Sequence, residues 1–291
     1  MRSHFTNPEH CLALVVALCA SPKKQRELGK LTTWRIVRPH LSRLVRFFHI
    51  SSIEARSERQ SSYLGILWGP LSTLIFTAML ALVFRQPHLI TVGEFYLYVL
   101  AGYVLWSFIT ATVTSSTTVI QRRFDFAVHN NLTLVGLFYK LLIDRLFAMS
   151  LDLVLLVFAI ILLAPGSLGL HLALLPPLLV VLALVSLAVA YLVNLAVILF
   201  PDLDAIFNVG VRFMFFVSPV FWGAEGDATG VRGALIDYNP AAYFLSVFRQ
   251  SFGVVPLEPK AWIVAIGFSV SLCVIGIIAY DRSHAFVRNL K

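Results

Sequence analysis

The chain has 291 residues, of which 58% are hydrophobic and 13% charged, and its mean hydropathy is +0.83. A typical soluble domain has roughly 45–50% apolar and about 25% charged residues, so the composition excludes a water-soluble fold. The net charge of +8 comes from 23 Lys and Arg against 15 Asp and Glu. The three cysteines, Cys11, Cys19 and Cys273, match neither a disulfide framework nor a metal-ligand spacing. Composition therefore predicts a membrane protein.

Residues 1–61 are predicted to form a cytoplasmic leader with an amphipathic helix. Leu41, Leu44, Val45 and Phe48 follow the spacing of one helix face, with basic residues on the other faces. We expect this helix to lie in the membrane interface; a soluble helix packed on a partner is the alternative. The apolar run 11–20 imitates a secretory signal, but cleavage there would export the most basic part of the chain.

Residues 62–291 are predicted to form a transmembrane domain. A helix needs about 20 apolar residues to cross about 30 Å of hydrocarbon. Six segments are predicted to cross, near residues 63–84, 95–120, 146–163, 172–200, 205–222 and 261–280. Eighteen Lys and Arg residues fall on one side of this arrangement and four on the other, so both termini are expected in the cytoplasm.

The connection between the fifth and sixth predicted spans is long and apolar. Its stretch from Ala241 to Phe252 has about 12 residues, which is too short to cross a bilayer and is typical of a re-entrant or interfacial helix. We expect short re-entrant or periplasmic helices here that form an outer gate. The predicted fold class is an all-α polytopic membrane protein with six transmembrane helices and an N-terminal amphipathic interfacial helix.

The predicted spans lack the groups that intramembrane catalysis needs. All eight histidines fall outside them, and they contain no HExxH motif, no GxSxG motif and no close carboxylate pair. Gly29 and Lys30 lack the upstream glycine of a P-loop, so any ATP that drives this protein must be bound by another chain. We predict no catalytic residue, no metal site and no cofactor on this chain.

Two charged residues lie inside predicted spans. A charge at the centre of a span costs about 2.5–3.5 kcal/mol on insertion scales, so Asp152 and Arg212 need partners. The two residues are predicted to reach similar depths, and we expect them to pair across two helices. Independent snorkelling of each side chain to the cytoplasmic interface is the alternative.

Aromatic residues are concentrated in the second and fifth predicted spans. The deeper ones are Tyr103, Trp106, Phe213 and Phe216. Flat rings cover the apolar faces of pyranoses and leave the polar edges of the sugar available, so these four residues are candidates for lining the path of a sugar chain. Packing in the core or against lipid is the alternative.

Several short motifs carry a resemblance to a known family. Residues 56–70 read RSERQSSYLGILWGP, which resembles the basic run and the Leu-Gly-x-x-Trp-x-x-x-Pro motif of the membrane subunits of ABC-2 type polysaccharide exporters. The residues that carry the resemblance are Arg56, Arg59, Leu64, Gly65, Trp68, Asn239, Pro240 and Arg249. The chain departs from the family at Pro70, which follows the Trp by two residues, and at Pro201, where the family often has Arg.

The resemblance implies a permease of the O-antigen, capsule or teichoic-acid type in a bacterial inner membrane. Two copies of the chain would pair with two copies of a separate ATPase, which holds ATP and Mg. The ATPase-coupling residues would be Arg122, Arg123, Phe124, Asp125 and Phe126, with a plain basic loop as the alternative. The substrate would be a lipid-linked glycan within membrane lipids, with no nucleic-acid partner. An exporter of drugs or lipids and a membrane-embedded glycan- or lipid-modifying enzyme are the alternative functions.

Overall fold

The structure is a computed structural model, and it describes residues 45, 47–53, 65–84, 91–121, 133–222 and 230–288. The chain divides into two units, Met1–Ile50 and Ser51–Lys291. In the first unit, Val45 and Phe48 of the predicted apolar stripe are helical and exposed, whereas Leu41 and Leu44 lie outside the described residues. The interfacial position of this helix therefore stays a prediction.

Every regular element in the described part of the second unit is a helix, so the predicted all-α class is confirmed. The helices are α1 (Trp68–Phe84), α2 (Val92–Ser116), α3 (Leu134–Leu163), α4 (Leu175–Leu199), α5 (Leu203–Val217), α6 (Val231–Tyr238), α7 (Pro240–Ser251) and α8 (Pro259–Arg288). Short 3-10 turns precede α1 and α4.

Local sequence explains several helix ends. α2 begins with a capping box, in which the Thr91 hydroxyl accepts from the Glu94 backbone N–H and the Glu94 carboxylate accepts from the Thr91 N–H, both at 3.3 Å. Pro165, Pro201 and Pro219 each follow soon after the last residue of a helix. Proline has no N–H to continue a helix and restricts the residue before it, so these three positions end α3, α4 and α5.

Five helices of the described residues are long and apolar enough to cross a membrane. They span Gly65–Phe84, Val92–Ser116, Leu134–Leu163, Leu170–Leu199 and Pro259–His284. The fifth predicted span, residues 205–222, contains the helix α5, which has 15 residues and a length of about 22 Å. The predicted count of six spans is therefore not confirmed.

α3 begins 12 residues before the predicted start of the third span, at Leu134 rather than Leu146. The prediction assigned Lys140 to a cytoplasmic connection because it lies among charged residues. In the structure Lys140 is 0% exposed and pairs with Asp144 one turn later on the same helix. The ion pair lets the helix continue through this charged stretch.

α2 is the central helix of the unit. Its residues Val99, Leu100, Ala101, Val104 and Leu105 are fully buried. Five helices, α1, α3, α4, α5 and α7, pack against it. A helix that is apolar all round is expected at the centre of such a bundle.

The contacts place the connections at two opposite ends of the bundle. At one end, which we call the α7 end, the 3-10 turn Leu170–Leu174 packs against α7. At the other, which we call the Asn194 end, Asn194 near the end of α4 contacts the last residue of α2, Ser116. Tyr191, one turn before Asn194, bonds Ser283 of α8 at 2.7 Å. The long helices therefore alternate in direction.

A glycine makes the tight turn after α7. Gly253 has a φ of +66°, and a Cβ atom at this position would lie 2.5 Å from the Ser167 carbonyl oxygen. Gly65 also has a positive φ, +49°, but has no atom within 4 Å of the corresponding point. The two glycines share a backbone conformation and differ in the space around them.

We expect Gly253→Ala to destabilise the chain more than Gly65→Ala. Both changes carry the left-handed penalty of about 1–2 kcal/mol, but only the first forces the backbone at Ser167 to move. Unfolding of the purified variants in detergent, followed by circular dichroism, measures the difference. Equal losses of stability would contradict the close packing at Ser167.

Candidate functional site

Arg249 of α7 is a buried arginine that binds backbone carbonyls of two other segments. Its Nε donates to the Tyr98 carbonyl at 3.1 Å, and its Nη2 donates to the carbonyls of Pro219 at 2.9 Å and Val220 at 2.8 Å. Its Cζ also lies 3.5 Å from the centre of the Tyr98 ring, which is a cation–π contact. We call the guanidinium, the Tyr98 ring and the three carbonyls the Arg249 cluster.

The Arg249 cluster satisfies two carbonyls of the turn after α5 and adds a bond to a carbonyl within α2. α5 ends at Val217, and Pro219 and Val220 follow in a turn. Tyr98 lies six residues beyond the start of α2, which is about 9 Å along the helix axis. Carbonyls at such a depth in a membrane need partners within the protein. Arg249 supplies them for Pro219 and Val220. The sequence indicated Arg249 as a motif residue of an outer segment but not that its side chain is buried.

Gly102 leaves the space that the guanidinium occupies. A Cβ atom at Gly102 would lie 2.3 Å from Nη2 of Arg249 and 2.9 Å from the Val220 carbonyl oxygen. Any other residue at this position would displace the arginine or the turn. The glycine is thus required by the close approach rather than by its own backbone angles.

Asn239 and Pro240 begin α7 and attach its first turn to the residues after α5. The Asn239 side chain accepts from the Ala241 N–H at 3.0 Å and donates to the Ser218 hydroxyl at 2.9 Å. Pro240 is the first helical residue, where its fixed φ favours the helix. The structure thus brings three of the predicted motif residues, Asn239, Pro240 and Arg249, to one turn and one helix.

The two other motif residues that the structure describes, Gly65 and Trp68, lie at the start of α1. Gly65 opens the 3-10 turn before α1, and Trp68 is the first residue of α1 and is 49% exposed. Arg56, Arg59 and Leu64 lie outside the described residues.

An aromatic cluster lies where α1, α2 and α5 meet. Its centre is the buried Phe215, whose ring centroid is 6.0 Å from Trp106, 6.4 Å from Tyr103 and 5.3 Å from Phe216. Phe76 of α1 contacts Tyr103 at 4.9 Å. Three of the four predicted path residues therefore meet around a residue that the sequence analysis did not single out. A buried Phe215 could not be told from its exposed neighbours without knowing the face that α5 presents to α2.

The predicted path residues differ in exposure. Trp106 is buried, whereas Phe213 and Phe216 of α5 are 62% and 65% exposed. Phe216 contacts Phe215 and Phe221. Phe213 has no ring contact within the described residues. α5 thus presents exposed aromatic rings on the surface of this single chain.

The predicted pairing of Asp152 with Arg212 is not found. Asp152 of α3 accepts a hydrogen bond from the Thr73 hydroxyl of α1 at 3.2 Å. Arg212 is exposed on α5, and within the described ranges it forms no ion pair. The two helices differ in their neighbours: α3 packs against α1, α2 and α4, whereas α5 packs mainly against α2. Asp152 and Arg212 were predicted at similar depths, but their side chains lie on surfaces that do not face each other.

At the Asn194 end, a buried amide holds the last turn of α2. Asn194 is 0% exposed, and its Nδ2 donates to the carbonyls of Ser116 at 2.9 Å and Thr117 at 3.1 Å and to Oε1 of Gln121 at 3.2 Å. The last carbonyls of a helix have no partner within it, so the amide completes the end of α2. The sequence analysis missed this residue, although a single Asn within an apolar span is a visible signal.

The predicted coupling residues follow directly after this point. Arg122, Arg123, Phe124, Asp125 and Phe126 all lie outside the described residues. Their nearest described neighbour is Gln121, which Asn194 binds. The structure therefore fixes where this segment begins.

The described residues contain groups that could bind a ligand, but they form no metal site. In the part of the chain that the structure describes, no three His, Cys, Asp or Glu side chains are placed to hold a metal ion. The groups that remain accessible near the aromatic cluster are rings, hydroxyls and the Asp152 carboxylate.

Comparison with known proteins assigns no family: no family model and no curated protein matches the chain. The class that the fold defines is a multi-pass helical membrane protein.

We expect Arg249→Lys to destabilise the chain strongly. Lysine cannot reach three carbonyls as the guanidinium does, and each carbonyl left without a partner costs about 1–3 kcal/mol. Arg212→Lys is the matched control, because Arg212 is exposed and is expected to tolerate the change. Thermal unfolding and the amount of protein in the membrane fraction measure both variants; equal behaviour would show that the buried contacts contribute nothing.

We expect Asn194→Leu to loosen the end of α2. The change keeps the side-chain size and removes three hydrogen bonds, at a cost of about 1–3 kcal/mol. Asn208→Leu is the control, because among the described residues the Asn208 amide bonds Asp204 alone, on its own helix. Hydrogen exchange of residues 113–121 should become faster in the first variant alone, and unchanged exchange there would contradict the capping role.

Proposed function

We propose that this chain is the transmembrane permease subunit of an ABC exporter that moves a lipid-linked polysaccharide across a bacterial inner membrane. The chain supplies the passage, and a separate ATPase subunit supplies the energy. The substrate class is an O-antigen-like or related cell-surface glycan on a lipid carrier.

The observation that carries this proposal is the position of the motif residues. Asn239 and Pro240, which are partly buried, and the buried Arg249, all chosen by resemblance, lie at the start and near the end of one short helix at the α7 end of the bundle. They hold a helix of 12 residues against α2, α4 and α8 instead of leaving it as a loose connection. In the proposal, α7 is a short helix that closes one end of the bundle and acts as the gate of the passage.

The exposed faces of α1 and α5 support a passage shared between two copies of the chain. Both helices present apolar side chains to their surroundings, among them Met79 and Leu82 on α1 and Val209 and Phe213 on α5. The aromatic cluster lies directly behind these faces. In the proposal, a second copy packs against this surface and the glycan passes along the aromatic residues.

The proposed topology has six crossings and both termini in the cytoplasm. α5 provides the fifth crossing, and residues 218–222 complete it as a turn whose carbonyls Arg249 satisfies. The Asn194 end is then the cytoplasmic end, in agreement with the basic residues of segment 122–132. The N-terminal helix lies on the cytoplasmic surface of the membrane.

The proposed ATPase binds at the Asn194 end. Arg122, Arg123 and Asp125 suit a polar interface, with Phe124 and Phe126 as anchors. Because Asn194 fixes the residues just before this segment, a force applied there acts directly on α2. ATP-driven closure of the ATPase would then shift the bundle between two states.

Co-expression with the P-loop ATPase encoded nearest to this gene tests the proposal. The two proteins are expected to co-purify, and the ATPase activity is expected to depend on this chain. Phe124→Ala should weaken the association by about tenfold, as for an interface anchor worth ~1.4 kcal/mol. Tyr238→Ala, a change at an aromatic residue of α6 that is 87% exposed at the α7 end, is the control and should leave the association unchanged.

Two outcomes would overturn the proposal. One is transformation of a lipid-linked glycan by the purified chain alone, which indicates an enzyme. The other is transport by the chain without any nucleotide-hydrolysing partner. Normal coupling in Phe124→Ala and Arg122→Ala together would overturn the docking site only.

A further inference from the structure

Asp152 is a carboxylate inside a membrane-spanning helix with little to compensate its charge. It lies 11 residues before the end of α3 at Leu163, which is about 17 Å along the axis. In the described part of the chain, the Thr73 hydroxyl is the one hydrogen-bond donor to this carboxylate, at 3.2 Å to Oδ1. An ionisable residue at such a depth points to a function.

The surroundings of Asp152 do not neutralise it. No Lys, Arg or His among the described residues forms an ion pair with it, and the cation predicted to do so, Arg212, is exposed on another helix. The side chain is only partly buried, and its Oδ2 has no hydrogen-bond partner among the described residues. The site therefore contains an acceptor with unused capacity.

Aromatic rings stand beside this acceptor. Phe76 lies on α1 one turn after Thr73, whose hydroxyl binds Asp152. The Tyr103 ring of α2 contacts the Phe76 ring, with 4.9 Å between the two ring centroids. A carboxylate next to flat rings matches the chemistry of a pyranose, which presents hydroxyl donors at its edge and C–H groups on its face.

We propose that Asp152, Thr73 and Tyr103 form a binding site for the hydroxyl groups of a sugar. Asp152 accepts from the sugar hydroxyls, Thr73 holds the carboxylate, and the Tyr103 and Phe76 rings contact the face of the sugar ring. This inference rests on the proposed function, for which it names residues that select a glycan over a plain lipid. It also replaces the predicted ion pair as the reason for a carboxylate at this position.

Thr77 provides a matched control on the same helix. Its hydroxyl is buried one turn after Thr73 and donates to the Thr73 carbonyl at 2.7 Å. It also interacts with the Tyr96 side chain of α2, but it forms no bond to Asp152 within the described residues. Thr73→Val and Thr77→Val remove the same group from neighbouring turns. Only the first change takes a hydrogen bond away from Asp152.

The experiment measures binding of radiolabelled dodecyl maltoside to the full chain in nanodiscs of phosphatidylethanolamine and phosphatidylglycerol. Octaethylene glycol monododecyl ether, which has the same alkyl chain and no sugar ring, is the comparison ligand. Wild-type protein is expected to bind the maltoside saturably and in preference to the ether. Size-exclusion profiles and thermal unfolding check that each variant is folded.

Asp152→Asn is expected to weaken maltoside binding by about tenfold, because the charge-assisted hydrogen bonds are lost. Thr73→Val should weaken it by roughly threefold through the loss of one neutral hydrogen bond, and Thr77→Val should bind as the wild type does. Binding of the ether should be equal in all of them. This last measurement separates a sugar site from a general effect on packing.

Equal maltoside binding by the wild type and Asp152→Asn would overturn the inference. So would stabilisation by Na⁺ that depends on Asp152 without any effect of the maltoside, since that result indicates a cation site. The ATPase is absent from the experiment, so the outcomes are distinguishable. If maltoside binding depends on Asp152 but the chain never couples to an ATPase, the sugar site is supported and the exporter function is contradicted. If the chain couples to the ATPase normally but shows no such binding, only the sugar site is contradicted.

Discussion

The rest of the α7 end depends on one constraint, which is that backbone carbonyls inside the bundle must have hydrogen-bond partners. α5 stops at Val217, and the turn that follows exposes the carbonyls of Pro219 and Val220. Arg249 satisfies both and also binds the Tyr98 carbonyl. This requirement accounts for the glycine at position 102, since any side chain there would displace the guanidinium. A carboxylate partner is unnecessary, because three carbonyl dipoles and the Tyr98 ring surround the charge.

α2 connects this end of the molecule to the other. Near its beginning Tyr98 binds Arg249, and at its last turn Ser116 binds Asn194. Many of the residues between are buried, and α2 packs on five other helices, so we expect α2 to move as a rigid element. A displacement at the start of segment 122–132 would therefore reach the Arg249 cluster through a single helix. In the proposed exporter, this is the physical route from the ATPase to the gate.

Sequence reasoning succeeded where the information was local and failed where it was tertiary. The apolar runs that became α1, α2, α4 and α8 were visible because a span needs about 20 apolar residues, and the short helix after Asn239 followed from its length. The end of α5 was not visible, since apolar residues continue to Trp222 and only the Ser218-Pro219 turn with Arg249 ends the helix. The start of α3 was missed because Lys140 and Asp144 look like loop residues until they pair. Asn194 and Phe215 became important only through the helices that they face.

Lys140, Arg249 and Asp152 are charged side chains inside the bundle, and they differ in how many partners balance their charge. This difference indicates the role of each residue. Lys140 pairs with Asp144 and also donates to Ser51 at 3.2 Å, and Arg249 binds three carbonyls, so both contribute to a fixed structure. Asp152 has one neutral hydroxyl as its described donor. Stability alone does not favour such a residue, because an apolar side chain of similar size would avoid the cost of burying a charge. A carboxylate that stays partly accessible beside aromatic rings is accounted for by a ligand that completes its hydrogen bonds, and a sugar hydroxyl is the group that matches both the acceptor and the rings.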